Sequence, residues 1–353
     1  MENTTLFDNS GLEDATMFEN ITKQVEPGGG YSEEALAIIG IILALINIVT
    51  FVGNVIVIIA VYITPALQSL TGFFIVSLAV SDILVGALVM PFAIYREVRN
   101  GYWPFGNAIC DLSKSLDIMF STASIYNLLC VAIDRYFAIC RPFFYHERFN
   151  KKVVISMIAC CWILPIFPSF VSVFAKWPDI GVEEMIQEMT NNGTLPVCPF
   201  KVSPAYTIAT SLLLFYIPAG MMIVVYSIIF YIARSQSRKI QALEIADDRD
   251  KRSEARNMKR ERKAARTLLI IMGAFLLCWL PLYLFNIIDV SIGYKIPGVP
   301  WGIVSWLGWM NSMFNPWIYY ACNSNFKAAY VRIFSLGKRR MDVEDSLASA
   351  SDH

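Results

Sequence analysis

Seven separate apolar runs divide this chain, near Ala35–Tyr62, Leu70–Tyr95, Ile109–Ile139, Val153–Phe174, Tyr206–Ala233, Ala265–Val290 and Pro300–Cys322. Each supplies the ~20 mostly apolar residues a helix needs to cross a bilayer. In hydrocarbon the backbone must satisfy its own polar groups, which only helices and closed barrels achieve. Runs of this length therefore predict an all-α membrane protein, a bundle of seven transmembrane helices. A large soluble α-domain with buried helices would not need seven such lengths. Residues 1–34 then form an outer tail, 35–322 the bundle, and 323–353 a short amphipathic helix and tail. In that last part, Asn325–Leu336 sets Phe326, Val331, Ile333 and Phe334 against Lys327 and Arg332, the pattern of a helix lying along a membrane surface.

Charge fixes the orientation. Of the 29 Lys and Arg, 22 fall on one side, twelve of them between Arg234 and Arg266, whereas residues 1–34 hold only Lys23 against eight acids. The positive-inside rule places the N-terminus outside and the C-terminus in the cytoplasm, as expected of a multi-pass plasma-membrane protein. The first helix is expected to serve as an uncleaved insertion signal. Three glycosylation acceptors, Asn3, Asn20 and Asn192, all fall on the outer side. Of the eight cysteines, only Cys110 and Cys198 lie in an oxidising space, which predicts a bridge pinning the long outer loop over the third helix. Lys plus Arg equals Asp plus Glu, so net charge points to no nucleic-acid partner. The only histidines are His146 and His353; no nucleophile–His pairing and no metal-ligand spacing is present, so neither an enzyme nor a metal site is expected.

A carboxylate inside the third helix is the residue with most to explain, because ionisable groups at membrane depth are costly and mark functional sites. Asp117 follows Cys110 by seven residues, which puts it ~10 Å inside the helix mouth at 1.5 Å rise per residue. Ser121 and Ser124 follow on the same face. No basic residue is expected deep in the outer halves of the other helices. Two partners remain open: Lys114, three residues earlier, or an ammonium group on a ligand. Trp279, Tyr283, Trp306, Trp309 and Phe200 are candidates to surround such a cation. At middle depth Asp82, Asn54, Ser124, Asn311 and Asn315 should face the interior and satisfy one another, with water or an ion. Pro218, Pro281 and Pro316 can kink their helices.

In order along the chain stand Gly53-Asn54-Val55, Leu78-Ala79-Val80-Ser81-Asp82, Asp134-Arg135-Tyr136, Trp162, Pro218 with Tyr226, Cys278-Trp279-Leu280-Pro281, and Asn311 through Tyr319. Together they resemble the rhodopsin-like (class A) G-protein-coupled receptors over about residues 35–336. With Asp117 in register the chain resembles the biogenic-amine group. The runs Asp117–Ile125, Phe215–Pro218 and Lys259–Leu268 look most like trace-amine-associated receptors.

The resemblance implies a ligand site of Asp117, Ser121, Phe200, Thr210, Ser211, Trp279, Tyr283, Asn286, Trp306 and Trp309. It implies a sodium ion near Asp82, Ser124, Asn311 and Asn315, with no other cofactor. Activation and coupling fall to Asp134, Arg135, Tyr136, Tyr226, Glu261, Asn315, Pro316 and Tyr319, the contact of Arg135 with acids holding the inactive state. Implied partners are a heterotrimeric G protein, arrestin, a receptor kinase and membrane lipid. Three departures narrow the ligand. Trp309 stands where many amine receptors have tyrosine, so an indole N–H would meet Asp117. Leu214 replaces a serine usual for catechols, and Leu282 replaces a phenylalanine. A diamine is conceivable if Asp289, Glu183, Glu184 or Glu188 holds a second ammonium; otherwise these are solvated loop charges. A peptide receptor is the rival reading. A light-sensing opsin would need a lysine in Trp301–Cys322, which has none. A transporter or channel would show repeats or broken half-helices, which are not found.

Overall fold

The computed structural model describes residues 32–191, 196–245 and 249–335; the side chains of residue 191, 233–266 and 268 also lie outside the described set. Seven long helices form the bundle. They run Glu33–Ile63, Leu70–Val98, Gly106–Cys140, Lys151–Phe174, a fifth from Pro204 to Ile245, Arg249–Ser291 and Gly298–Cys322. The first six are long and apolar enough to cross a membrane; the seventh matches them in length and carries Asn311, Ser312 and Asn315 on its buried face. Outward-facing Ile38, Ile41, Ile42, Leu45 and Ile48 on the first helix suit hydrocarbon rather than water. Phe74, Phe215, Phe275, Met222 and Ile229 fill the interior.

Local chemistry sets the helix ends. Ser32, Ser69, Asn150 and Ser203 accept hydrogen bonds from the first-turn N–H groups of Ala35, Gly72, Lys152 and Tyr206, which would otherwise lack partners. Three one-turn π-helical segments, Val85–Val89, Phe167–Val171 and Leu212–Tyr216, each contain or adjoin a proline: Pro91, Pro168 and Pro218. Proline has no N–H for the ordinary ladder, so the hydrogen bonds slip by one residue and the helix bulges. Pro281 and Pro316 sit inside their helices.

Two helices add to the seven runs. Pro142–Arg148 lies in the inner loop after the third helix, and Glu183–Asn191 in the long outer loop. A final helix spans 324–335. It buries Phe326, Ala329 and Tyr330, spaced i, i+3 and i+4, and leaves Lys327, Val331 and Phe334 exposed. Phe326 stacks on Tyr319 at 5.0 Å, which ties this helix to the end of the seventh.

The Cys110–Cys198 bridge is present, with Cα atoms 5.6 Å apart. It anchors the outer loop beside Trp103, whose backbone N–H donates to Pro196 O at 2.8 Å. Asn3, Asn20 and Asn192, and the side chain of Glu261, lie outside the described residues.

Candidate functional site

The third helix presents Asp117 to a small cavity of ≈ 10 Å³ under the outer loop, room for about one water molecule. Its walls come from the second helix (Phe92, Ala93, Arg96), the third (Ser113, Asp117), the disulfide-bound loop (Cys198, Phe200) and the seventh helix (Trp309). The disulfide therefore positions Phe200 as the cover. A roomier cavity of ≈ 730 Å³ lies elsewhere, between the first, seventh and 324–335 helices near Gly53, Trp317 and Phe334, and has no acidic or basic side chain in its lining.

Asp117 is preorganised by neighbours. Trp309 Nε1 donates to its Oδ1 at 2.8 Å, and Ser121 Oγ donates to the same oxygen at 3.2 Å. Among the described residues no cation lies within ion-pair distance of it. Lys114 is not its partner: its ammonium sits 5.6 Å from the centre of the Phe200 ring. Contrary to the expectation of no basic residue nearby, Arg96 enters the same cavity from the end of the second helix, its guanidinium 4.3 Å over the Phe200 ring. A hydrogen bond to a charged group contributes about 1.5–3 kcal/mol, so Trp309→Phe should weaken any ligand that depends on the Asp117 geometry by about 10- to 150-fold. A concentration–response curve at matched surface expression measures this; an unchanged curve would mean that the indole only packs.

The other expected ligand residues do not line this cavity. Trp306 packs edge-on against Trp309 at 5.2 Å, and Tyr283 stacks on Phe215 at 4.3 Å with Trp279 a further 6.2 Å away. Gly308 lets the seventh helix approach Trp279: a Cβ there would lie 3.1 Å from the indole. Ser211 is buried, the Thr210 hydroxyl donates to Tyr206 O, and the Asn286 amide donates to Leu282 O. Asp289 is neither a free second anchor nor a solvated loop charge. It is buried, accepts from Ile296 N–H and Trp301 Nε1, and pairs with Lys201 at 3.4 Å. Glu183, Glu184 and Glu188 lie exposed on the outer-loop helix.

Deeper in the bundle Asp82 accepts from Ser124 at 3.2 Å, Ser312 at 2.7 Å and Asn315 at 2.8 Å. Ser312 is the member that the sequence reading missed. Asn311 is buried but not bonded to Asp82, and its Nδ2 has no partner among the described residues. At the end of the bundle away from the disulfide Asp134 takes Arg135 at 2.6 Å, Thr71 at 2.8 Å and Tyr145 at 2.8 Å; Arg135 also donates to Thr71. Burial and the adjacent Asp134 charge push the Tyr145 phenol above its ordinary range, so it remains a donor. Tyr226 and Tyr319 are buried nearby, Tyr136 is half-buried against Phe137, and Pro316 O accepts from Tyr330.

A helix bundle with a carboxylate under its outer mouth, a polar centre and an Arg–acid cluster at its inner end defines a membrane receptor. The chain belongs to the rhodopsin family of seven-transmembrane receptors, matching the family described as "7 transmembrane receptor (rhodopsin family)" over residues 53–319. It is 35% identical to 5-hydroxytryptamine receptor 4 of Cavia porcellus over 334 residues, covering 91% of this chain and 86% of that one. It is 37% identical to the D(1) dopamine receptor of Carassius auratus, covering 91% and 94%. These relatives are biogenic-amine receptors rather than enzymes.

Proposed function

We propose that this protein is a plasma-membrane receptor, its N-terminus outside, for a small protonated monoamine of the trace-amine type, signalling through a heterotrimeric G protein. The observation that carries the reading is Asp117, a carboxylate held by Trp309 and Ser121 in a cavity under Phe200, with no cation in ion-pair contact among the described residues. Arg96 shares the cavity and its charge acts on Asp117 from beyond ion-pair distance, but a buried carboxylate without a contacting counterion is still costly, and an ammonium ligand removes that cost. Thr210 commits its hydroxyl to its own helix and Leu214 offers none, which favours a ligand without a catechol. Asp289 is already paired, which favours one ammonium rather than two. Arrestin and a receptor kinase are the further partners of such a receptor. The test is a cAMP and calcium assay with phenylethylamine and its neutral isostere phenylethanol. Activation by the amine alone supports the reading; equal activation by both sinks it.

We also propose that sodium binds at Asp82. The donor set is hard oxygen with one negative charge, and among the described residues no basic group pairs with it. Turning the Asn311 amide would replace its orphaned donor with an acceptor, as a cation requires. When bound, the ion would balance the Asp82 charge that Ser124, Ser312 and Asn315 now offset with neutral hydrogen bonds. Exchange of NaCl for choline chloride should change agonist affinity in wild type by about 3- to 10-fold and leave Asp82→Asn insensitive, a coupling of about 1 kcal/mol. Equal salt response in both would refute the ion site.

A further inference from the structure

We propose that Arg96 is a second specificity-determining residue of the amine cavity, binding an anionic group of a ligand whose ammonium is held by Asp117. The site then takes a zwitterionic amine, an ammonium and a carboxylate on one short skeleton, and disfavours a diamine. This rests on the amine reading of Asp117.

The two side chains belong to different helices but line one cavity with Phe200 and Trp309. Arg96 places its guanidinium carbon 4.3 Å from the centre of the Phe200 ring, a cation–π contact that fixes the charge at the cavity. Its five N–H donors lie in the guanidinium plane. Among the described residues the guanidinium makes no hydrogen bond and no ion pair with a carboxylate. The charges of Glu97 and Asp117 act on Arg96 without reaching ion-pair distance, and the Glu97 carboxylate lies 3.0 Å from where a Cβ on Gly302 would stand. A planar guanidinium with its donors unpaired matches a carboxylate in two parallel hydrogen bonds. The same charge repels a second ammonium. Phe200, 48% exposed, is the cover that must shift to admit the ligand, since the cavity as it stands has room for about one water.

The experiment uses the full-length receptor at matched surface expression, with three probes of one chain length: pentylamine, 1,5-diaminopentane and 5-aminopentanoate. G-protein signalling is read in cells, and ligand-induced thermal stabilisation on purified receptor. Wild type should prefer 5-aminopentanoate over the diamine by about tenfold or more, as for a complementary against a like-charge contact. Arg96→Glu should invert that order, and Arg96→Ala should bring the two within about threefold. A wild-type preference for the diamine overturns the proposal, as does an order unmoved by Arg96→Glu. So does the absence of any response or stabilisation with all three probes. If Asp117→Ala loses every response while Arg96→Glu leaves the order unchanged, the amine site stands and the Arg96 subsite fails. If responses survive Asp117→Ala, the amine reading itself fails.

Discussion

Substituting alanine for Asp117 is expected to reduce the potency of an amine agonist by about 30- to 4,000-fold, the equivalent of about 2–5 kcal/mol for truncating one partner of a buried, hydrogen-bonded charge pair. The loss has two parts. The ligand's ammonium would be desolvated without a counterion, and Trp309 Nε1 and Ser121 Oγ would each lose the oxygen they now share. Asp117→Asn keeps the volume and an acceptor oxygen for Trp309 but removes the charge, so it isolates the first part. Asp117→Glu keeps the charge but advances it by one methylene into a cavity of ≈ 10 Å³, and should recover only part of the potency. The measurement is a concentration–response curve for the amine, normalised to receptor counted at the surface. Wild-type potency in Asp117→Asn would remove the ion pair from the account.

The spanning helices and Asp117 were legible because the signals are local. An apolar run of bilayer length needs no tertiary information, and the observed helices start and end within a few residues of the runs, apart from the inner extensions of the fifth and sixth. Asp117 and Ser121 are one helical turn apart, so their contact also follows from the period. The disulfide followed from compartment alone.

Arg96 was missed for the opposite reason. An arginine at the outer end of a helix reads as a side chain reaching for water, and only the packing of the second helix beneath the disulfide-bound Phe200 turns it inward. Asp289 was misread in the same way: its partners Lys201, Ile296 and Trp301 come from the outer loop and the start of the seventh helix. Ser312 stood in a motif already noted, but choosing between it and Asn311 as the partner of Asp82 needs the rotation of the seventh helix about its axis. Of the aromatic set, Phe200 and Trp309 line the cavity with Asp117 while Tyr283 packs on Phe215, a division that aromatic spacing alone does not make.

Loss of Asp134 should release its end of the bundle, and the size of the effect follows from how many donors it holds. Its two oxygens accept from Arg135 Nε at 2.9 Å and Nη2 at 2.6 Å, from Thr71 at 2.8 Å and from Tyr145 at 2.8 Å. Asp134 is fully buried and Arg135 half-buried, their side chains 0% and 21% exposed, so the contact is screened less than a surface pair would be. Breaking a buried pair from one side costs about 3–5 kcal/mol, borne by whichever conformation contains it. If the pair forms only in the inactive arrangement, Asp134→Ala moves the inactive–active equilibrium by about 150-fold or more, and agonist-free signalling should rise toward the agonist-driven maximum. Tyr145→Phe removes one neutral donor from the inner-loop helix and keeps the ring stacked on Phe149. It should shift the equilibrium by about tenfold, for a hydrogen bond to a charged group at the lower end of about 1.5–3 kcal/mol. Basal cAMP or calcium signalling against receptor number measures both variants. A graded rise, large for Asp134→Ala and small for Tyr145→Phe, is the expected order. Basal signalling at wild-type level in Asp134→Ala, with normal surface expression, would show that Asp134 fixes the inner-loop helix in both states and does not restrain activation.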